Sequence, residues 1–205
     1  MKTVKILTKP TNFIIFIAIL LMTSVIGYSQ IPDKNQSDLI KPETEITDDI
    51  YWAVKAYHPQ VKLLRVKAID KDGNIHDVKA IQDSYSTSVL NVKALVDGNR
   101  LPIKLIVHGE DSYYPVKAIN TDGTIMDIKA ITEEGFMLDV KGVSKTGNII
   151  HIRAIAKDGA QYNILAVSPL GEVNEVKGLK MLSAPVEMVI KGVKIFAHVK
   201  AMKPD

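Results

Sequence analysis

The sequence predicts an all-β protein, an antiparallel meander of about 12–13 short strands built from a 12-residue repeat. Three observations carry this. The phrase Val-Lys-Ala-Ile recurs as Val66–Ile69, Val78–Ile81 and Val116–Ile119, with looser copies beginning at Ile128, Val140, Ile152 and Val176. The Lys position keeps time: 67 to 79 is a step of 12, and 117, 129, 141, 153, 165 and 177 follow at the same step. Gly73, Gly123, Gly135, Gly147, Gly159 and Gly171 each fall six residues after that position and close a mostly polar cluster. One turn per repeat reverses the chain each time, so successive strands run antiparallel.

Residues 1–29 precede the repeats. Lys2, Lys5 and Lys9 lead into an apolar run from Phe13 to Ile26, and small residues Gly27 and Ser29 stand before Gln30. This is the pattern of a secretory signal peptide, and the apolar run is short for a membrane span, so no stable span is expected after cleavage. Residues 30–49 hold six acids against Lys34 and Lys41, with Pro32 and Pro42, and read as a flexible acidic tether. The repeat domain is expected over residues 50–205.

Without the three Lys of the signal, 23 basic residues face 23 acidic ones, so the overall charge of +3 is no argument for nucleic acid as a partner. The chain has no Cys, which excludes disulfides and thiolate metal sites.

Within the domain, Trp52 and Tyr57 of the first strand are candidates to plug an open end. Each Gly-closed cluster reads as a three-residue loop, a type I turn followed by Gly in the left-handed region. That geometry sets the register. It places Lys67 opposite Asp77, Lys117 opposite Asp127 and Lys129 opposite Asp139, with apolar residues meeting apolar ones between them. By the same count Lys141 faces His151 and Arg153 faces Asn163.

One face therefore carries Val or Ile, Ala or Gly, and a large residue two positions before the Val (Met126, Leu138, Ile150, Tyr162). This is the expected core. The other carries Lys, its Asp and the flanking Ile residues. The insertion Gln82–Ser88, the turns at Asp97-Gly98 and His108-Gly109, and Leu165 in a Lys position break the pattern. Lys191-Gly192 reads as a two-residue hairpin between Val186–Ile190 and Val193–Met202. So many strands must close into a barrel-like shell or split into a two-sheet sandwich. A β-solenoid is the alternative, though a parallel stack gives the Lys–Asp pairing no reason to exist.

No constellation reads as an active site. Asp70-Lys71-Asp72-Gly73 opens like a calcium loop, but Ile75 and Ile81 stand where the loop needs Gly and Glu. The five His residues are scattered, no nucleophile motif is present, and Asp77, Asp127 and Asp139 each have a Lys partner. No cofactor is expected, and a hydrolase is the least favoured of three readings. What remains is the Lys series, in which Lys93, Lys104, Lys141 and Arg153 have no acid at the matched position. These four form the candidate face for an anionic polysaccharide or envelope component. The competing reading is a structural module that binds another protein along its Ile edges.

The ending Gly27-Tyr28-Ser29-Gln30, the phrase Tyr51-Trp52-Ala53-Val54-Lys55-Ala56 and the 12-residue Val-Lys-Ala-Ile units resemble uncharacterised secreted proteins of Bacteroidota-type bacteria. The resemblance implies export, to the periplasm, cell surface or medium, and no particular activity.

Overall fold

The computed structural model describes residues 50–107, 113–180 and 188–204. The signal, the tether and the His108-Gly109 turn lie outside the described residues. The strands are β1 (Ile50–His58), β2 (Val61–Ile69), β3 (Ile75–Gln82), β4 (Val89–Val96), β5 (Asn99–Ile106), β6 (Tyr114–Ile119) and β7 (Ile125–Ile131). They continue as β8 (Met137–Thr146), β9 (Ile149–Ile155), β10 (Gln161–Val167), β11 (Val173–Leu179), β12 (Met188–Ile190) and β13 (Val193–Met202). The all-β antiparallel meander is as the sequence predicts.

Five of the six repeat turns have the expected form. At Gly123, for example, Asn120 N donates to Thr124 O at 2.8 Å and Gly123 N to Asn120 O at 3.0 Å. The turn at Gly135 needs Gly for its backbone, since φ is +89° and a Cβ there would meet nothing within 4 Å. Side chains finish the loops. Asp70 accepts from the backbone N of Asp72 and Asn74 at 2.9 and 2.8 Å, and the side-chain hydrogen bond from Asn74 leads the effects that hold its carboxyl down to about 2. Turn chemistry thus engages the residues that imitate a calcium loop.

Gly147 departs from the expected form. The β8–β9 hairpin closes Thr146 directly onto Ile149, and a bulge between Gly142 and Ser144 absorbs one residue of the offset, which keeps the inner and outer faces in step. Lys141 consequently faces Arg153, not His151. Arg153 does face Asn163 on its other side, as expected. Asp97-Gly98 and Lys191-Gly192 are two-residue turns with positive φ at both positions.

The strands close on one another through an unusual pattern of ladders, all of them antiparallel. Setting aside β12, every strand lays one edge along a single partner and shares its other edge between two more. The single-partner pairings are β1–β10, β2–β7, β3–β4, β5–β6, β8–β9 and β11–β13. The shared edges gather the strands into four three-strand junctions. These are β1–β2–β3, β4–β5–β13, β6–β7–β8 and β9–β10–β11, each with all three mutual pairings. Every two junctions are joined by one of the six pairings, which is the connectivity of a tetrahedron. The shell is closed, though not evenly barrel-shaped. These twelve strands have no wholly unpaired edge, which removes the aggregation hazard of an open sheet. Among the described residues the parallel stacking of a solenoid does not occur.

The repeat explains the closure. Each of the twelve strands sends one Val or Ile to a common centre: Val54, Val66, Val78, Val92, Ile103, Val116, Ile128, Val140, Ile152, Ile164, Val176 and Val199. They enclose an apolar void of only about 10 Å³, too small and too apolar to hold water. Outside this ring, large residues meet small ones across the junction ladders. Trp52 packs opposite Ala80, Met126 opposite Ala118, Leu138 opposite Ala130 and Tyr162 opposite Ala154. All are buried. Trp52 lies in the core of the closed shell instead of at an open end, and its Nε1 donates to Gln82 Oε1 at 3.0 Å. Tyr57 stays exposed and plugs nothing.

The flanking Ile residues do not all lie on the outer charged face. Ile81, Ile119 and Ile131 are buried. Ile119 joins Ile106, Ile195 and Val193 in a second, smaller core beside β13.

Candidate functional site

On the outside, each junction displays a ring of six alternating positions. Every strand contributes the Lys position of its repeat and the residue two before it. The ring at β6–β7–β8 holds Lys117, Asp127, Lys129, Asp139, Lys141 and Pro115. Lys117 and Lys129 donate to Asp127 and Asp139 respectively, so two of the expected pairs are present. The acids also reach the next Lys around the ring, Asp127 to Lys129 at 3.6 Å and Asp139 to Lys141 at 3.3 Å.

Burial would raise Asp127, but the hydrogen bond from Lys117 and the charges of Lys117 and Lys129 outweigh it and lower the carboxyl. Asp139 is lowered chiefly by the hydrogen bond from Lys129. Burial disfavours the Lys129 charge, yet its hydrogen bond to Asp139 and the two acids leave it raised. The third expected pair, Lys67 with Asp77, lies in the β1–β2–β3 ring, where that hydrogen bond lowers Asp77. That ring also holds Lys55, Arg65, Lys79 and Ala53. The β9–β10–β11 ring has Arg153, Lys177, Glu175, His151, Asn163 and Leu165, with Lys177 and Glu175 at 2.9 Å.

The fourth ring is different. At β4–β5–β13 the three Lys positions are Lys93, Lys104 and Lys200, one from each strand. The alternating positions, acidic in parts of the other rings, hold Asn91, Pro102 and His198. The ring contains no acid.

Its electrostatics follow from that. Burial lowers Lys93, and the charge of Lys200 lowers it further, while the nearby Asp83 pulls the other way. Burial, helped by the charges of Lys93 and Lys200, brings Lys104 down to about 8. His198 is brought down to about 4 by its partial burial and by the same three ammonium groups. At neutral pH its imidazole is uncharged, and Nδ1 accepts a hydrogen bond from Lys104 Nζ. Lys200 Nζ donates to Asn91 Oδ1.

Of the four residues expected to form one anion-binding face, Lys93 and Lys104 meet in this ring. Lys141 and Arg153 do not. They face each other across β8–β9, Lys141 has Asp139 beside it, and Arg153 Nη1 donates to its own chain at Ile152 O at 2.9 Å. The reason is that β8 and β9 belong to the β6–β7–β8 and β9–β10–β11 junctions. The structure adds two members to the ring, Lys200 and His198, whose strand places its centre residue 23 residues rather than 12 after the previous one (Val176 to Val199).

The Lys positions also meet across the six single-partner pairings: Lys67 faces Lys129, Lys79 faces Lys93, Lys104 faces Lys117, and Lys177 faces Lys200. The exception is Lys55, which faces Leu165. The basic residues therefore form a network over the whole shell, acid-bridged within some rings, while the β4–β5–β13 ring has no acid of its own and only Asp83 beside it, accepting from Asn91 Nδ2 at 3.4 Å.

A family model covers the repeats and their closure together, matching residues 48–202. The chain belongs to the family of unknown function DUF7486. Comparison with curated proteins finds no match, nor does comparison with solved structures. The DUF7486 match spans every strand of the shell, the acid-free ring included. Among the described residues, no group of three or more His, Asp or Glu side chains is placed to hold a metal ion. No helix of the described residues is long and apolar enough to cross a membrane.

Proposed function

We propose that this DUF7486 protein is an exported, non-enzymatic binding module that recognises an acidic polysaccharide through the outer face of the β4–β5–β13 junction. One observation carries the reading: Lys93, Lys104 and Lys200 converge there with no acid in their ring. Elsewhere acids consume part of the positive field, as Asp127 and Asp139 do at β6–β7–β8. A half-buried, acid-free cluster of ammonium groups is a site where an incoming anion relieves repulsion that the fold alone does not.

The decisive experiment is a pull-down of the purified protein with polygalacturonate and with heparin, at low and high salt. Binding should weaken roughly tenfold or more as ionic strength rises toward 1 M, where screening shortens to about 3 Å. Replacing Lys93, Lys104 and Lys200 by Gln should remove it, while Lys55→Gln with Lys79→Gln at the β1–β2–β3 junction should leave most of it. Absence of binding to both polymers would sink the proposal. Export is tested separately, by fractionating cells and sequencing the N-terminus of the recovered protein.

A second reading is favoured by the exposed apolar residues Ile75, Ile125 and Met137, which are 54%, 39% and 50% exposed. Ile125 and Met137 line a depression with Ile69, Asp127 and Lys129. These would make a protein interface, which sedimentation at increasing concentration tests directly.

A further inference from the structure

We propose that the β4–β5–β13 junction is built for the terminal group of a sulfate or phosphate monoester, with one of Lys93, Lys104 and Lys200 serving each of its three free oxygens. The proposal rests on the polysaccharide reading and names the substituent that the site selects.

The geometry favours three oxygens over two. Each cation comes from a different strand, and each sits at the same repeat position, directly after the Val or Ile that meets the common centre. The three mutual ladders of the junction relate these positions by an approximate three-fold arrangement. A sulfate or phosphate monoester presents three terminal oxygens around its ester bond with the same symmetry. A carboxylate is planar with two oxygens, so it would leave one ammonium group of the half-buried ring without an oxygen of its own.

His198 supports the assignment. With Nδ1 accepting from Lys104, the neutral ring carries its proton on Nε2 and acts on the Lys as an orienting acceptor. Such an acceptor fixes the ammonium group without cancelling its charge, unlike the carboxylates of the β6–β7–β8 ring.

Binding should also be linked to protons. Lys104 is faced by Lys93 on β4, by His198 and Lys200 on β13, and by Lys117 on β6 across the other edge, and Asp83 acts on Lys93. Its depressed value, about 8, means that it loses charge in the mildly alkaline range. A bound dianion or monoanion would hold that proton in place.

The test titrates the labelled protein with glucose 6-sulfate, glucose 6-phosphate and glucuronate, three probes with the same ring and different acidic groups, followed by NMR. At least one ester should perturb the resonances of Lys93, Lys104, His198 and Lys200, with glucuronate at least about tenfold weaker. The sulfate and phosphate arms tell which ester is preferred. Affinity should fall as pH rises through about 8. Lys104→Arg should keep binding and lose that pH dependence, because Arg stays charged, whereas Lys104→Gln should weaken binding below about pH 8 and match the wild type well above it. Glucuronate binding as well as the esters would overturn the monoester assignment and leave the polysaccharide reading standing. So would polymer binding with no response to either ester. Ester shifts centred on Lys55 and Lys79 would overturn the site. Silence from all three probes and both polymers would overturn both proposals together.

Discussion

Leu105 occupies a position that its equivalents fill with Ala or Gly, and two glycines elsewhere make room for it. A Cβ on Gly142 would lie 2.6 Å from Leu105 Cδ2 and 2.8 Å from Ile150 Cγ2, and one on Gly178 would lie 2.7 Å from Leu105 Cδ1. Neither glycine has positive φ, so space and not backbone freedom selects them. Across the ladder from Leu105 stands Ala197, the large–small pair of its junction turned round. Gly142→Ala should therefore cost about 1–3 kcal/mol by overpacking, and Leu105→Ala about 2–5 kcal/mol by leaving a cavity. Combined, they should cost clearly less than the sum, because the added methyl enters the vacated space. Denaturant melts of the three variants measure this, and strict additivity would contradict it.

The same scale governs the pH response of the basic ring. His198 is held near 4 against an ordinary 6.5. Between those values the unfolded chain takes up a proton that the folded chain refuses, so stability is full above about 6.5 and declines as pH falls through the window. Lys104, at about 8 against 10.5, works in the opposite range. The folded chain releases its proton first, and stability rises as pH climbs from about 8 to 10.5. Melting temperatures across pH should show both limbs. His198→Asn should remove the acid limb above pH 4, and Lys104→Met should flatten the alkaline one.

At the scale of strands and turns, much was legible because the information is local. A Gly six residues past the Lys position fixes a three-residue loop, and that loop fixes which side chains face each other across one hairpin. Lys67–Asp77, Lys117–Asp127 and Lys129–Asp139 follow from it. The failure at Lys141 has the same origin: Gly147 sits at the right spacing but closes a two-residue turn, and the bulge after Gly142 restores the alternation of faces but leaves the register two residues from the expected one. Nothing within one hairpin signals it.

Non-local pairings left even less trace. That Lys104 faces Lys117 on one edge and His198 on the other depends on which strands share a junction. Half the candidate site, Lys93 and Lys104, was visible as basic residues lacking an acid. Lys200 and His198 were hidden because β12 interrupts the 12-residue step before their strand.

Two predictions belong to this scale. Asp127→Asn removes the carboxylate between Lys117 and Lys129 and should cost about 1 kcal/mol, less in high salt, since the pair is partly exposed. Gly159→Ala, in an open turn at φ +89°, should cost about 1 kcal/mol through strain alone, and this cost should not respond to salt.

For the whole molecule, the repeat serves a closure that no pair of strands displays. Like charges meet across five of the six single-partner pairings, an arrangement that destabilises a sheet unless acids lie nearby. Three junctions hold acids within their rings, whereas the fourth has only Asp83 beside it, which is the basis of the proposed anion site. All of this depends on twelve strands meeting at one dry centre. Methyl NOE spectroscopy on the Val- and Ile-labelled protein examines that centre directly. Val54 of β1, Ile128 of β7 and Val199 of β13 should belong to a single network of mutual contacts, together with their nine equivalents. Contacts confined to strands adjacent in sequence, with Val54 and Val199 in separate clusters, would contradict the closed tetrahedral shell and the acid-free face that it assembles.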